Sequence, residues 1–378
     1  MLPEPNRLIG RDSWSMMLGG SYEMARLVRP LQAVPGRKTP IMHLKLSRER
    51  LASLRRLPGW TSLLASRPTM YITLVVAIVA AAYIYSLRFY GIFACSAEGY
   101  SSDRYLAECN APSYGDYEYG GFWFGLEPRA LSSVARAEVL FLGDSRLQFA
   151  FSTAVMSAWS DKRRTPYYLL GFPDGNVAFL QRLLDRIRPK TKVLVINVDT
   201  FFERNLSPFA KVVAGDASAQ LRYGAKRFWQ RVHLPVCSTV PKLCGRNYVV
   251  FRSKATGAYE AHGDYDMVGR RARSAAVSFL SQVDPDKVAV LVASARQFLE
   301  SSPVDRTCII LTIVPHVGTD HEGAQAVARG LGMALVAPKL NDLQTFDTSH
   351  LDRTSAERWS AAFLTEAGPQ IEKCLNAS

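Results

Sequence analysis

The sequence predicts an α/β fold built on a central parallel sheet and preceded by one membrane-spanning helix. Three observations predict it. From about residue 136 onward, short and wholly apolar runs alternate with segments of helical period, the pattern of a parallel sheet covered on both faces. Residues 70–87, MYITLVVAIVAAAYIYSL, hold 18 positions without a charge. Basic residues crowd ahead of that run: residues 1–68 carry 12 Lys/Arg against 4 Asp/Glu, a net +8 of the chain's +13.

The apolar run would extend roughly 27 Å as a helix, close to the hydrocarbon thickness of a bilayer, and it can continue past Arg88 through FYGIFA to Ala94. A cleaved signal peptide fits poorly, because a lead of 68 residues is far too long for one. The positive-inside rule places the arm in the cytoplasm and everything after the helix on the other side. The expected organisation is a basic cytoplasmic arm (1–68), a spanning helix (69–94), a juxtamembrane segment (95–135) and a main domain (136–378). Within the arm, LKLSRERLASLRRL reads either as a basic amphipathic helix on anionic lipid or as a flexible tail. The body beyond residue 68 is only mildly basic, which argues against a nucleic-acid-binding core. All six cysteines follow the span, and Cys95/Cys109 and Cys237/Cys244 are close enough in sequence for disulfides in an exported domain. No CxxC spacing or nearby His pair supports zinc, and no metal site is expected.

Residues 95–130, rich in Gly, Tyr, Ser and Pro, read as irregular. VLFLG (139–143), YYLLG (167–171), KVLVIN (192–197), TCIILTIVP (307–315) and MALVAP (333–338) read as five strands. Helices are expected at NVAFLQRLLDRIRP (176–189), at DPDKVAVLVASARQFLES (284–301), at EGAQAVARGLG (322–332) and from about Ser355 to Ala367. Residues 203–282 break the rhythm. This stretch, with KRFWQR (226–231) and GRRAR (269–273), reads as a cap over the carboxyl edge of the sheet, its basic residues either binding an anionic or sugar substrate or forming a solvated face.

Parallel sheets carry their sites outside the carboxyl ends of their strands, and there the first strand runs into Gly143-Asp144-Ser145. Those three residues make an ordinary turn or helix cap, or they present a nucleophilic serine. Serine catalysis needs a base and a group that fixes the base's tautomer, and Asp347 and His350, three apart before the last helix, supply both types. GDS after the first strand, together with DxxH before the last helix, resembles the SGNH (GDSL-type) hydrolase superfamily over roughly residues 136–370. The resemblance implies a flavodoxin-like three-layer α/β/α sandwich with Ser145 as nucleophile, His350 as general base and Asp347 as its orienting carboxylate. It also implies an oxyanion hole from the amides of Ser145 and Gly171 and an Asn side chain. In the third family block, usually GxND, this chain has NVDT, with Asp199 where the Asn would fall and Asn197 as the substitute donor.

Arg146, directly after the nucleophile, either contacts substrate or satisfies a helix end. Asp199 and His316, at the same sheet edge, are further candidates for substrate contact, while His316 and His321 lack the additional ligands a metal would need. No phosphate loop or dinucleotide fingerprint is present, and no cofactor is expected. The expectation is a serine esterase or O-acyltransferase anchored as a single-pass protein of the inner membrane. Its periplasmic domain would act on an acylated polysaccharide or peptidoglycan, transfer implying a membrane acyl-donor partner. A catalytically inactive scaffold of a polysaccharide export or modification complex is the competing class, and lipase action on the adjacent bilayer a third.

Overall fold

The computed structural model describes residues 68–377 apart from residues 110, 112, 248 and 262–273. The basic arm before residue 68, with LKLSRERLASLRRL, and the GRRAR run therefore lie outside the described residues.

Helix α1 (Pro68–Tyr90) is the apolar run read from the sequence, and over Met70–Phe89 it is long and apolar enough to cross a membrane. Most of its apolar side chains have no protein cover, and Val76, Ile78 and Val79 all stand exposed. The central sheet is parallel, with β2 (Val139–Asp144), β3 (Tyr167–Phe172), β4 (Val193–Asn197) and β8 (Ile309–Thr312) in the spatial order β3-β2-β4-β8. Every residue of these four strands is buried, so both faces are covered, as unbroken apolar runs require. The expected fifth strand is reduced to one bridge between Leu335 and Leu311, because only there do residues 333–338 lie along β8.

Helices α4 (Ser145–Ala150) and α5 (Thr153–Arg163) follow β2, and α7 (Val198–Phe201) follows β4. The longer helices begin where their capping residues dictate. Asn176 caps α6 (Val177–Ile187) by accepting from the Ala178 amide, and Asp284 caps α10 (Pro285–Ser301) by accepting from Asp286 and Lys287. Helix α11 spans His321–Gly330 behind its cap Asp320. Helix α12 (Arg353–Asn376) runs well past the expected stop at Ala367, through Gly368 and Pro369. Proline removes one backbone hydrogen bond there, but Ile371 and Cys374 are buried beyond it and Cys374 is joined to Cys308, so tertiary contacts override the local break.

The juxtamembrane segment is not irregular. It contains β1 (Tyr105–Cys109), α2 (Tyr117–Trp123) and α3 (Pro128–Arg136). Strand β1 pairs antiparallel with β5 (Val249–Ser253) of the insertion, and β5 with β6 (Tyr259–Ala261), so segments far apart in the chain share a second sheet. The insertion also holds α8 (Pro208–Gly215) and α9 (Ala219–Thr239), and the Cys95–Cys109 and Cys237–Cys244 disulfides close loops in this part of the chain.

The insertion lies against the outer edge of β3, where a cap over the carboxyl ends was expected. Leu169 donates its amide to Thr256 (2.8 Å), and Arg252 of β5 reaches the carbonyls of Gly171 (2.9 Å) and Leu169 (3.0 Å). An exposed strand edge invites pairing with another chain, and this hairpin occupies it. Arg252 is completely buried, paired with Glu118 at 2.8 Å and seated between the rings of Phe122 and Phe172, its guanidinium 4.7 Å from each centroid. Burial works against its charge, but Glu118 together with the nearby Tyr168 and Tyr259 outweighs it and holds the guanidinium above its ordinary value. Removing one partner of a buried pair strands the other, so Arg252→Ala should cost about 3–5 kcal/mol in urea unfolding. The double replacement Arg252→Met with Glu118→Gln should recover most of that loss.

Candidate active site

Strand β2 ends on Asp144, and Ser145 is the first residue of α4. The Asp144 carboxylate caps that helix by accepting from the Arg146 amide at 3.0 Å. Some two hundred residues later in the sequence the chain forms β9 (Gln344–Thr345), which pairs with β7 (Ala275–Ala276), and then turns sharply. Phe346 donates its amide to the His350 carbonyl (3.0 Å), Thr348 takes a left-handed φ of 71°, and one Asp347 oxygen accepts from the amides of Ser349 (3.0 Å) and His350 (2.8 Å). An aspartate that accepts from backbone two and three residues on is the ordinary device for holding such a turn. Here it leaves the second carboxylate oxygen free to face the His350 ring.

The two segments meet. His350 Nδ1 lies 2.7 Å from Asp347 Oδ2, and its Nε2 lies 3.0 Å from Ser145 Oγ. Burial pushes the Asp347 carboxyl up, but the His350 imidazole and the two turn amides outweigh it and hold the group below its ordinary value. An ionised Asp347 fixes the tautomer: Nδ1 donates to the carboxylate, and Nε2 is left as acceptor for the serine hydroxyl. The ring is completely buried, stacked on Phe346 (centroids 5.6 Å) and met edge-on by Phe149 (4.8 Å), while Ser145 is 8% exposed. The sequence placed Ser145, Asp347 and His350 in one role, and the structure brings all three together.

Arg146 performs a third task beyond the two expected of it. Its Nε donates to the Ser349 hydroxyl at 3.0 Å, and its Nη1 pairs with Asp199 and with Asp144 (3.4 Å). The residue after Ser145 is thereby tied to the residue before His350. Burial opposes the Arg146 charge, but Asp199 and Asp144 outweigh it and hold the guanidinium above its ordinary value. Burial likewise pushes the Asp199 carboxyl up, and the charge and hydrogen bond of Arg146 together with the nearby His316 and Lys287 outweigh it, leaving Asp199 below its ordinary value. Arg146 and Asp199, both candidates for substrate contact, are each other's partners within the protein.

Two expected oxyanion donors are also placed differently. Asn197 is buried, donating Nδ2 to Asp144 (3.3 Å) and accepting from the Val314 amide (3.1 Å), so it braces β2 against the segment after β8. Gly171 lies inside β3, and backbone groups two residues apart on a strand point the same way. The Leu169 amide and the carbonyls of Leu169 and Gly171 face the insertion, the Gly171 carbonyl also accepting from Gln148 of α4 (3.3 Å), so the Gly171 amide points away from β2. Glycine is required there for another reason: an added Cβ would fall 2.5 Å from the Asp144 carbonyl. The Ser145 amide keeps the position expected of it, in the first turn of α4, where a helix supplies no partner.

His316 is buried beside this cluster, its Nδ1 3.2 Å from the Val314 carbonyl and 3.3 Å from the Thr319 hydroxyl, and burial pushes its pKa down. Asp174, which the sequence reading missed, stands at the rim with a left-handed φ of 52°, and its partial removal from water and the nearby Asp144 push its carboxyl up. The PDGN run after β3 was the signal for such a turn. Ser349 was also missed, since nothing in the DTSH stretch marks it as Arg146's acceptor. Elsewhere, His233, Cys237 and Cys244 lie close together, but the disulfide between the two cysteines leaves no thiolate for a metal.

Comparison with protein-family models, with curated proteins and with solved structures found no match.

Asp199 and Asp347 are both held below the ordinary 3.8, so the stability they contribute is present above that value and is lost as pH falls through their lower folded-state values. Urea midpoints should therefore drop below about pH 4, and Asp199→Asn should flatten that limb. Arg146→Lys keeps the charge but not the fork that reaches Ser349 and Asp199 together, and it should slow reaction at Ser145 by up to about 100-fold while the protein still folds.

Proposed function

We propose that this protein is a serine esterase or O-acyltransferase that forms an acyl-enzyme on Ser145. The observation that carries the proposal is the unbroken chain from Ser145 Oγ through His350 to Asp347, at 3.0 and 2.7 Å. Ser145 attacks the acyl carbonyl, His350 Nε2 takes the hydroxyl proton, and Asp347 stabilises the imidazolium that results. His350 then returns the proton to the departing alcohol. The acyl group passes to water or to a sugar hydroxyl with His350 again as base, so hydrolysis and transfer share the first half-reaction.

On this reading the α/β fold is the three-layer sandwich of the SGNH superfamily. Helix α1 is a single-pass anchor, with the arm cytoplasmic and the domain in the periplasm, facing acylated polysaccharide or peptidoglycan. Three disulfides support an exported, oxidising setting. The polar groups gathered around Ser145, among them Asp174, Arg146, Ser349 and His316, support a carbohydrate ester over a long-chain lipid.

One observation favours the scaffold alternative. With Asn197 and Gly171 turned away, the Ser145 amide is left as oxyanion donor, and each lost donor costs about 3 kcal/mol of transition-state stabilisation. A fluorophosphonate probe separates the two. The enzyme reading expects labelling that Ser145→Ala abolishes and His350→Ala slows by at least about 1,000-fold, with turnover of acetylated sugars exceeding that of long-chain esters. A folded wild-type protein that takes no label supports the scaffold.

A further inference from the structure

Helix α9 carries apolar residues on both sides. Its inward side packs on the domain through Ala219, Tyr223, His233 and Cys237, all buried. At about 100° per residue, Leu221, Ala225, Phe228 and Val232 share the opposite side. Val232, at the far end of that side, is half-buried, but the rest of it meets little protein: Leu221 is 82% and Phe228 58% exposed. Arg222 and Arg231 flank it, both exposed. A helix in contact with water on its outer side ordinarily carries its polar residues there.

The position of α9 indicates what covers this side. Trp229 donates its indole N–H to the Tyr83 hydroxyl of α1 at 2.8 Å and meets the ring of Phe93, centroids 5.8 Å apart. Tyr83 lies seven residues before the end of α1 at Tyr90, about 10 Å down the helix axis. Amphipathic helices that lie in a bilayer surface bury their apolar side about 5–10 Å into the boundary between headgroups and chains. With the domain on the inner side of α9 and the apolar helix at its flank, the outer side faces the bilayer.

The geometry points to α9 as an interfacial helix, its Leu221–Val232 side sunk in the phospholipid leaflet on the domain's side of the membrane. Arg231, and Arg222 beside its partner Asp216, lie at the level of the lipid phosphates. The KRFWQR stretch is accounted for in this way: Phe228 enters the lipid, Trp229 locks α9 to the anchor, and Arg231 meets the headgroups. The domain is then held at one height and orientation, which a single flexible tether would not achieve. This inference rests on α1 spanning the membrane and is independent of the chemistry at Ser145.

The test places an environment-sensitive fluorophore on a single introduced cysteine in the full chain, reconstituted in phosphatidylglycerol/phosphatidylcholine nanodiscs. The three sites are Phe228→Cys, Val76→Cys within α1, and Val290→Cys on α10, where Val290 is 67% exposed. Lipids spin-labelled high on the acyl chain should quench the probe at 228 at least about threefold more than at 290, and aqueous iodide should do the reverse. Equal quenching at 228 and 290 overturns the inference. If the probe at 76 is quenched by lipid in that case, only the α9 inference fails. If the probe at 76 is reached by iodide instead, the anchor reading fails and the inference with it.

Discussion

The site depends on one side chain that does no chemistry. Arg146 follows Ser145, and its guanidinium holds Asp144 at the end of β2, Asp199 in α7 just after β4 and Ser349 on the histidine turn. The hydroxyl and the imidazole come from segments 205 residues apart, and hydrogen bonding between them tolerates only a few tenths of an ångström. A planar fork with several donors suits this task, because it fixes direction as well as distance.

Arg252 repeats the solution at the edge of the same sheet. Both arginines are taken largely out of water and both are matched by carboxylates and further acceptors. A buried ion pair adds little net stability over a well-packed apolar core, since desolvation offsets the attraction. What these two provide is register: Arg252 sets the insertion against β3, and Arg146 sets the histidine turn against β2. Aromatic rings stand beside each arrangement, Phe122 and Phe172 around Arg252 and Phe149 and Phe346 around His350. They exclude water and keep the charges there strongly coupled.

Covalent links add to this within the core. The Cys308–Cys374 bond closes a stretch of 66 residues and ties the start of β8 to the far end of α12, a loop for which chain entropy predicts about 4 kcal/mol. Cys95–Cys109 stands directly after α1, so the path from the apolar helix into the second sheet is short and cross-linked. The apolar helix and the domain are joined by structure, not by a linker, and the contact of Trp229 with Tyr83 extends that junction.

The sequence by itself determined the features that local chemistry dictates. Continuous apolar runs became the four parallel strands, capped amphipathic runs became α6, α10 and α11, and the uncharged run became α1, because period, capping and length act within one segment. It also marked Ser145, Asp347 and His350, whose residue types suit one hydrogen-bonded set. Tertiary structure decided the rest. The pairing of β1 with β5, the persistence of α12 through Pro369, and the shrinking of the fifth strand to one bridge all depend on partners distant in the chain. So do the roles of Arg146, Asp199, Asn197 and Gly171, since a polar side chain or amide takes its function from what it faces, and facing is fixed only when the whole core has packed.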